Sequence, residues 1–577
     1  MISPGEQSIK YITQTCFYNS ASGVFVSDFY IIVLQSNILY SILLTLAVCN
    51  PDKKDSNIMK KIISAGVIFA VAIMAAAKDF NIADYYYAMG EDYFKQWNSE
   101  VQAKIDSDIE KYRKTDGVFA LHVPGGTTVK VEQINHEFVF GANIFNFNQL
   151  GSKNNNNKYK AVWQELFNSA TIPLYWSRHE YPRGIHHLHP TPDDNPKFWA
   201  ECDEPEKQRF WRTPATLPIL DFCDSNNVRK HAHPLVWGSN IILPEWFFTS
   251  IPQELLQSPD FQREFKYADP ETQKIGSTSY WCLYGKLTPA EMAAKYPDFV
   301  QKVEDLFFQR AEWLCKTFAS RMDSWDVVNE SAIDNRELPY LPGGKKRLSP
   351  EHKICQSVYG AMPSDYVYRS FAIAGELLSP ATKLNINDYD LSDNYAEHIS
   401  NLLARGAKID IIGMQMHIFQ NQRIFDAANG REAKLDPAKW FGIMADFEKL
   451  NKPCHLSEIT IMAPEKSKKG EAIQAVLAYN MYRLWFSSKN MMGITWWNVI
   501  DSTSPKEKLL SGILRRDLSK KPVYHALDDL INRQWKTRCT VKADENGRIS
   551  FRGFRGTYRL SFSVSDGREI QRKVILK

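Results

Sequence analysis

Eight short runs rich in apolar and β-branched residues recur along the middle of the chain, at positions 137–144, 171–176, 230–238, 324–330, 383–389, 409–417, 454–461 and 493–501. Most segments between them carry apolar residues at helical spacing: Val300, Val303, Phe307 and Leu314 share one face, as do Ile473, Val476 and Leu477. Eight strand–helix units in a row predict an α/β fold of the (β/α)8 TIM-barrel type with long loop insertions, in preference to an open doubly wound sheet. No Gly-rich dinucleotide or phosphate loop competes with that reading. The barrel is assigned to residues 133–532.

The flanks follow other patterns. Residues 83–112 read as helical and end in the turn signal Lys114-Thr115-Asp116-Gly117. Residues 118–131 then form two short alternating runs around Pro124-Gly125-Gly126, the pattern of a hairpin, so 78–132 is a helix and hairpin prelude. At the other end Ile549, Phe551, Tyr558, Leu560, Phe562 and Val564 alternate with polar residues between glycines, which predicts a small antiparallel β module over 533–577. A module that short should lean on the barrel for part of its stability. Upstream, Met59-Lys60-Lys61, the apolar run 62–74 and Ala75-Ala76-Ala77 have the order of a secretory signal peptide, 59–77. The run is too short to cross about 30 Å of hydrocarbon, so no membrane span is expected in the mature chain. Residues 1–58 are read as an upstream over-extension, and the protein as secreted or periplasmic.

Composition narrows the function classes. The 577 residues are 44% hydrophobic and 24% charged, which is ordinary globular usage. Lys and Arg (70) barely exceed Asp and Glu (66), so no global field draws in nucleic acid or an anionic membrane. The nine cysteines contain no C-x-x-C pair, so neither a zinc knuckle nor a disulfide framework is signalled. Aromatics reach 13%, beyond what core filling needs, which points to flat binding surfaces. Two insertions, 177–227 and 239–287, follow the second and third strand runs and belong to the carboxyl-end face of the barrel. Their aromatics Phe198, Trp199, Trp211, Trp246, Tyr280, Trp281 and Tyr284 divide between loop packing and walling a cleft. The triplet His186, His187 and His189 is assigned to a solvated loop rather than a metal site.

Barrel chemistry sits at the carboxyl ends of strands. Ser-Trp-Asp-Val-Val-Asn-Glu places Asn329 and Glu330 at the end of the fourth strand, and His-Leu-Ser-Glu-Ile-Thr-Ile places Glu458 on the seventh. Strands four and seven oppose each other across the ring, so the two carboxylates can converge as the acid/base and nucleophile of a retaining glycosidase, which works with the pair about 5–5.5 Å apart.

With these motifs in order the chain resembles glycoside hydrolase family 10, the retaining endo-1,4-beta-xylanase family, as an atypical member. Trp325-Asp326-Val327-Val328-Asn329-Glu330 resembles the acid/base motif, His231-Ala232-His233-Pro234-Leu235-Val236-Trp237 the strand-three motif, Asn387-Asp388-Tyr389 the strand-five motif and Gly413-Met414-Gln415-Met416-His417 the strand-six motif. Trp497 with Asp501, and Lys521-Pro522 with Tyr524 and Ala526-Leu527, resemble the strand-eight and closing-helix motifs. The resemblance implies Glu330 and Glu458 as catalytic residues, with His233, Trp237, Asn329, Asn387, Tyr389, Gln415, His417 and Trp497 binding substrate. It also implies no cofactor and no metal, and xylan or a related β-1,4-linked polysaccharide as the partner of a monomer. The departures are specific. Tyr175 stands where the family has a lysine after strand two, Thr460 where it has an aspartate, and Gly238 where it has a second histidine. A barrel glycosidase for another β-1,4-glycan, and a non-catalytic polysaccharide-binding protein on a decayed barrel, are the rival readings.

Overall fold

Eight parallel strands close into a ring in the computed structural model, which describes residues 80–239, 293–332, 365–501, 509–564 and 567–577 with short pieces elsewhere. In the prelude, α1 is Ser99–Arg113, β1 is Lys114–Ala120 and β2 is Thr128–His136. The barrel strands are β3 (Val139–Asn143), β4 (Ser169–Pro173), β5 (Arg229–His233), β6 (Ser324–Asn329), β7 (Lys383–Asp388), β8 (Ile411–His417), β9 (Cys454–Thr460) and β10 (Met491–Trp496). All eight fall on the predicted runs, and β10 pairs with β3 to close the ring. The barrel is therefore the (β/α)8 fold the pattern predicts.

The helices outside the ring start where local chemistry allows. Pro297 and Asp298 open α2 (Pro297–Thr317), whose Val303, Phe307 and Leu314 are buried. Ser467 caps α4 (Lys468–Ser487) by accepting the Gly470 N–H at 3.0 Å. Between them lies α3 (Pro437–Glu448), with Asp436 as its cap, and α5 (Pro522–Asp528) follows the last strand. α4 is buried almost all round because it packs on both α5 and α1.

The prelude and the tail differ from the sequence expectation. β1 and β2 do not pair with each other as a hairpin. The tail strands β11 (Arg538–Lys542), β12 (Arg548–Phe554), β13 (Gly556–Ser563) and β14 (Glu569–Leu576) take them up instead. β2 lies between β11 and β13 in a four-stranded sheet, and β1 pairs antiparallel with β12. Alternation along β1 and β2 determines which side is apolar, not which strand lies alongside, and the partners sit some 400 residues away. The segments just before and just after the barrel thus form one module with its own core of Val129, Val131, Ile549, Phe551, Tyr558, Leu560 and Phe562. Its join to the barrel is aromatic: Phe486 stacks on Trp535 at 4.0 Å, with Phe140 and Phe554 against the pair. Arg113, at the end of α1, donates to the carbonyls of Phe486 and Ser488 across the same join.

In the amino-terminal part, Lys10–Gln14 pairs antiparallel with Phe29–Val33. The segment read as a signal peptide, 59–77, lies outside the described residues. Among the described residues no helix is long and apolar enough to cross a membrane.

Candidate active site

Strand register builds the mouth of the barrel. Asn329 on β6 lies beside Asn387 on β7, and Gln415 on β8 lies beside Glu458 on β9. Asn387 Nδ2 donates to Asn329 Oδ1 and to Glu458 Oε1, each at 2.8 Å. Gln415 Nε2 reaches Asn329 Oδ1 at 3.1 Å and Glu330 Oε1 at 3.3 Å. Three amides therefore join the two carboxylates in one hydrogen-bonded chain, and each end is oriented by the other. Gly413 is required here, because a Cβ at that position would meet Asn387 Oδ1 at 2.5 Å and the Ile386 carbonyl at 2.8 Å.

Glu330 stands just past β6 with a left-handed backbone (φ 60°), which for a side chain other than glycine costs about 1–2 kcal/mol. Its neighbours hold it there: the Glu330 N–H donates to the Asn387 carbonyl at 2.7 Å, and the Ala332 N–H to Asp388 Oδ2 at 2.8 Å. The Trp237 indole N–H donates to the other Glu330 oxygen at 3.2 Å. Burial, then the charges of Glu458 and Asp388, push the Glu330 carboxyl up to about 8, so it carries a proton at neutral pH. Asp388 is itself raised to about 7 by burial, although the Ala332 and Asp390 N–H groups work against the rise.

Glu458 has the opposite surroundings. Besides Asn387, His417 Nε2 lies 3.2 Å from its second oxygen, and His417 Nδ1 lies 2.8 Å from Thr460 Oγ1. Thr460 thus occupies the place expected of an aspartate, and a hydroxyl still holds the ring by its far nitrogen. His233 Nδ1 is 3.8 Å from Glu458 Oε1 and 2.8 Å from Asp326 Oδ2. Burial alone would lower the His233 pKa, but Glu458, Asp326 and Glu330 outweigh it and raise it, favouring a cation beside the Glu458 carboxylate. Asp326 also bonds His231 at 2.9 Å, and despite its burial the two histidines hold its carboxyl far below the usual range. His233, Asp326 and Glu458 bring ligand-type atoms within 4.8 Å of one another. The ring N–H of His233 accounts for that cluster as a hydrogen bond to Asp326.

Aromatic walls complete the mouth. Trp497 sets its ring edge-on to His233 at 5.4 Å and to His417 at 5.9 Å. Tyr175 packs against His233 at 5.7 Å and Trp237 at 6.0 Å, on the side where the family lysine is missing. Tyr389 is 43% exposed at the rim, and burial of its hydroxyl followed by the nearby Glu330 raises its pKa. The ten residues expected from the family resemblance to act on substrate therefore lie together at this mouth. Trp496 instead is fully buried, with its N–H on the carbonyls of Asn498 and Ser511.

Sequence reasoning missed Asp326, three positions before Asn329, and Asp388, one position before Tyr389; the signal was their place inside the same motifs. The 177–227 insertion packs on itself. Asp194 lies at its centre, accepting from the Trp199 indole at 2.7 Å, the Ala215 N–H at 2.9 Å and Gln149 at 3.1 Å, and pairing with His187 at 2.7 Å. Trp199 and Trp211 are buried there, so they do not wall the cleft, and His187 is buried rather than solvated. The side chains of Tyr280, Trp281 and Tyr284 lie outside the described residues.

The model for the family described as Glycosyl hydrolase family 10 matches residues 290–530. That stretch runs from α2 through β6, β7, β8, β9 and β10 to the closing helix, and it carries both glutamates. Over that stretch the chain is similar to glycosyl hydrolase family 10. Among family relatives, it is 27% identical over 208 residues to endo-1,4-beta-xylanase A of Caldicellulosiruptor sp. (strain Rt8B.4), covering 34% of this chain and 22% of the relative. It is 24% identical over 331 residues to exoglucanase XynX of Acetivibrio thermocellus, covering 54% and 24% respectively. The chain thus spans about a fifth to a quarter of the length of these curated relatives. The family 10 xylanase 10B of Thermotoga petrophila RKU-1, solved with xylobiose, aligns with a TM-score of 0.43 at 18% identity, over 69% of this chain and 95% of that one.

Proposed function

We propose that this chain is a retaining endo-1,4-beta-xylanase of family 10. Glu458 attacks the anomeric carbon while Glu330 gives its proton to the leaving oxygen. The Glu330 carboxylate then takes a proton from the water that releases the glycosyl enzyme, and both groups return to their starting states. The observation that carries this reading is the asymmetry of the pair. A carboxyl raised to about 8 is a general acid at neutral pH, and it is joined through three amides to a carboxylate flanked by two histidines. Trp497 and Trp237 offer apolar ring faces with N–H groups suited to a pyranose. Two carboxylates suffice for the chemistry. The xylanases among the relatives support xylan as the substrate, and the basic and apolar order of 59–77 supports secretion.

The test is incubation with purified xylan, cellulose and mannan, with products followed by chromatography and by proton NMR of the first anomer formed. Xylan-specific release of mixed oligosaccharides with the β anomer appearing first is expected. Preference for cellulose or mannan, or an α anomer first, overturns the assignment. Amino-terminal sequencing of material exported by the host should begin near residue 78.

A further inference from the structure

Beside the proposed acid lies a cavity of about 410 Å³ whose lining includes Tyr389, Asp390, Gln415, Lys434, Lys439 and Trp440. Gln415 touches one Glu330 oxygen, and Tyr389, the other lining residue at the mouth, is near enough to Glu330 for its charge to raise the Tyr389 hydroxyl, so the cavity adjoins Glu330. A general acid stands against the oxygen of the departing sugar, and a chain leaving past Glu330 therefore enters this cavity.

The two lysines set its charge. Neither ammonium makes an ion pair or hydrogen bond among the described residues. The neighbouring Arg423 is already matched by Glu432 in a two-pronged pair, both contacts at 2.7 Å. Lys434 is half-buried, and its pKa is lowered first by that burial and then by the charge of Arg423, with Glu432 opposing and Lys439 adding a smaller push downward. Lys439 sits in the first turn of α3, the positive end of the helix dipole, where cations are disfavoured. The one carboxylate in the lining, Asp390, is engaged by the Ser392 N–H and by Asn394 Nδ2 at 2.9 Å. Two lysines without an ion partner, one half-buried and one exposed, thus line the same groove, and an anion seated there would pair with both.

We infer that this cavity binds an anionic substituent, a uronate carboxylate or a sulfate ester, on the sugar that leaves past Glu330, so that the enzyme selects acidic xylan rather than merely tolerating it. The inference rests on the reading of Glu330 as the acid. It places the choice of decoration in two lysines outside the shared family motifs.

The test measures kcat/KM on matched neutral, glucuronate-bearing and sulfate-bearing xylo-oligosaccharides for the intact chain and for Lys434→Gln, Lys439→Gln and the double variant. The acidic-to-neutral ratio should be tenfold or more in the intact chain, fall toward one in the double variant and fall with added salt. Whichever acidic substrate leads identifies the group. A ratio near one in the intact chain, or a ratio the lysine variants leave unchanged, overturns the inference. Calorimetric binding of the same oligosaccharides to Glu330→Gln separates the two claims. Lysine-dependent binding of the acidic compounds without hydrolysis of neutral xylan by the intact chain would sustain this inference and sink the proposed activity. Hydrolysis of neutral xylan without lysine-dependent binding would do the reverse.

Discussion

Two glutamates of equal intrinsic acidity meet different neighbours, and that difference yields separable predictions. Glu458→Gln should abolish turnover of every substrate, whereas Glu330→Gln should spare the first step on aryl glycosides with good leaving groups, which need no proton from the enzyme. Equal loss on natural and activated substrates in Glu330→Gln counts against its role as acid. The pH dependence follows in sign. Because the Glu330 carboxyl is raised to about 8, the protonated acid is lost as pH rises through that value, and kcat/KM should fall on the alkaline side near 8. Asp388→Asn removes one of the charges that raise Glu330 and keeps an acceptor for the Ala332 N–H. The alkaline limb should then move to lower pH by about one unit, each unit being worth about 1.4 kcal/mol. A limb that stays in place would show that burial and Glu458 alone set the value. Asn329, Gln415 and both glutamates were legible in the sequence because each lies at or within two positions of a strand's carboxyl end inside a dense motif. Asp388 was not, since its influence depends on being desolvated next to Glu330, and desolvation is a property of the closed ring.

Among the elements, the insertion after β4 and the interleaved terminal strands behave as structural pieces with measurable cost. Asp194→Ala strips an acceptor from His187, Trp199, Ala215 and Gln149 at once, and buried donors left unpaired cost about 1–3 kcal/mol each. Partial relaxation should leave a net loss of roughly 3 kcal/mol by denaturant unfolding. A smaller loss than 1 kcal/mol would mean the insertion is held elsewhere. Removing 533–577 strips β1 and β2 of every partner and exposes their edges. The truncated chain should aggregate or melt at least 10 °C lower by light scattering and circular dichroism, and an unchanged melting temperature would contradict the shared sheet. The barrel strands were legible because strands buried on both faces are written as short apolar runs. The pairing of β2 with β11 and β13 was not, because alternation is the same whatever lies alongside.

In the unit from Phe80 onward, one aromatic seam of Phe140, Phe486, Trp535 and Phe554 joins the barrel to the terminal β module. Such a seam couples the module to the barrel, so calorimetry should record a single transition, and Phe486→Ala should lower it by about 3–5 kcal/mol as a buried aromatic truncation. Two resolved transitions in the intact chain would mean the module melts alone. At this scale the division between sequence and structure is physical. Periodicity, turn residues and strand-end motifs are local, and they determined the eight-stranded barrel, its insertions and the residues bordering its mouth. Tertiary structure decided what depends on distant parts meeting: that strands before and after the barrel share a sheet, that Trp199 bonds inward to Asp194 and Trp211 packs beside it, that burial raises the Glu330 carboxyl while Glu458 is flanked by histidines, and that Lys434 and Lys439 line one cavity with Gln415. Those outcomes are set by burial and proximity across hundreds of residues, and neither quantity is written at any single position of the chain.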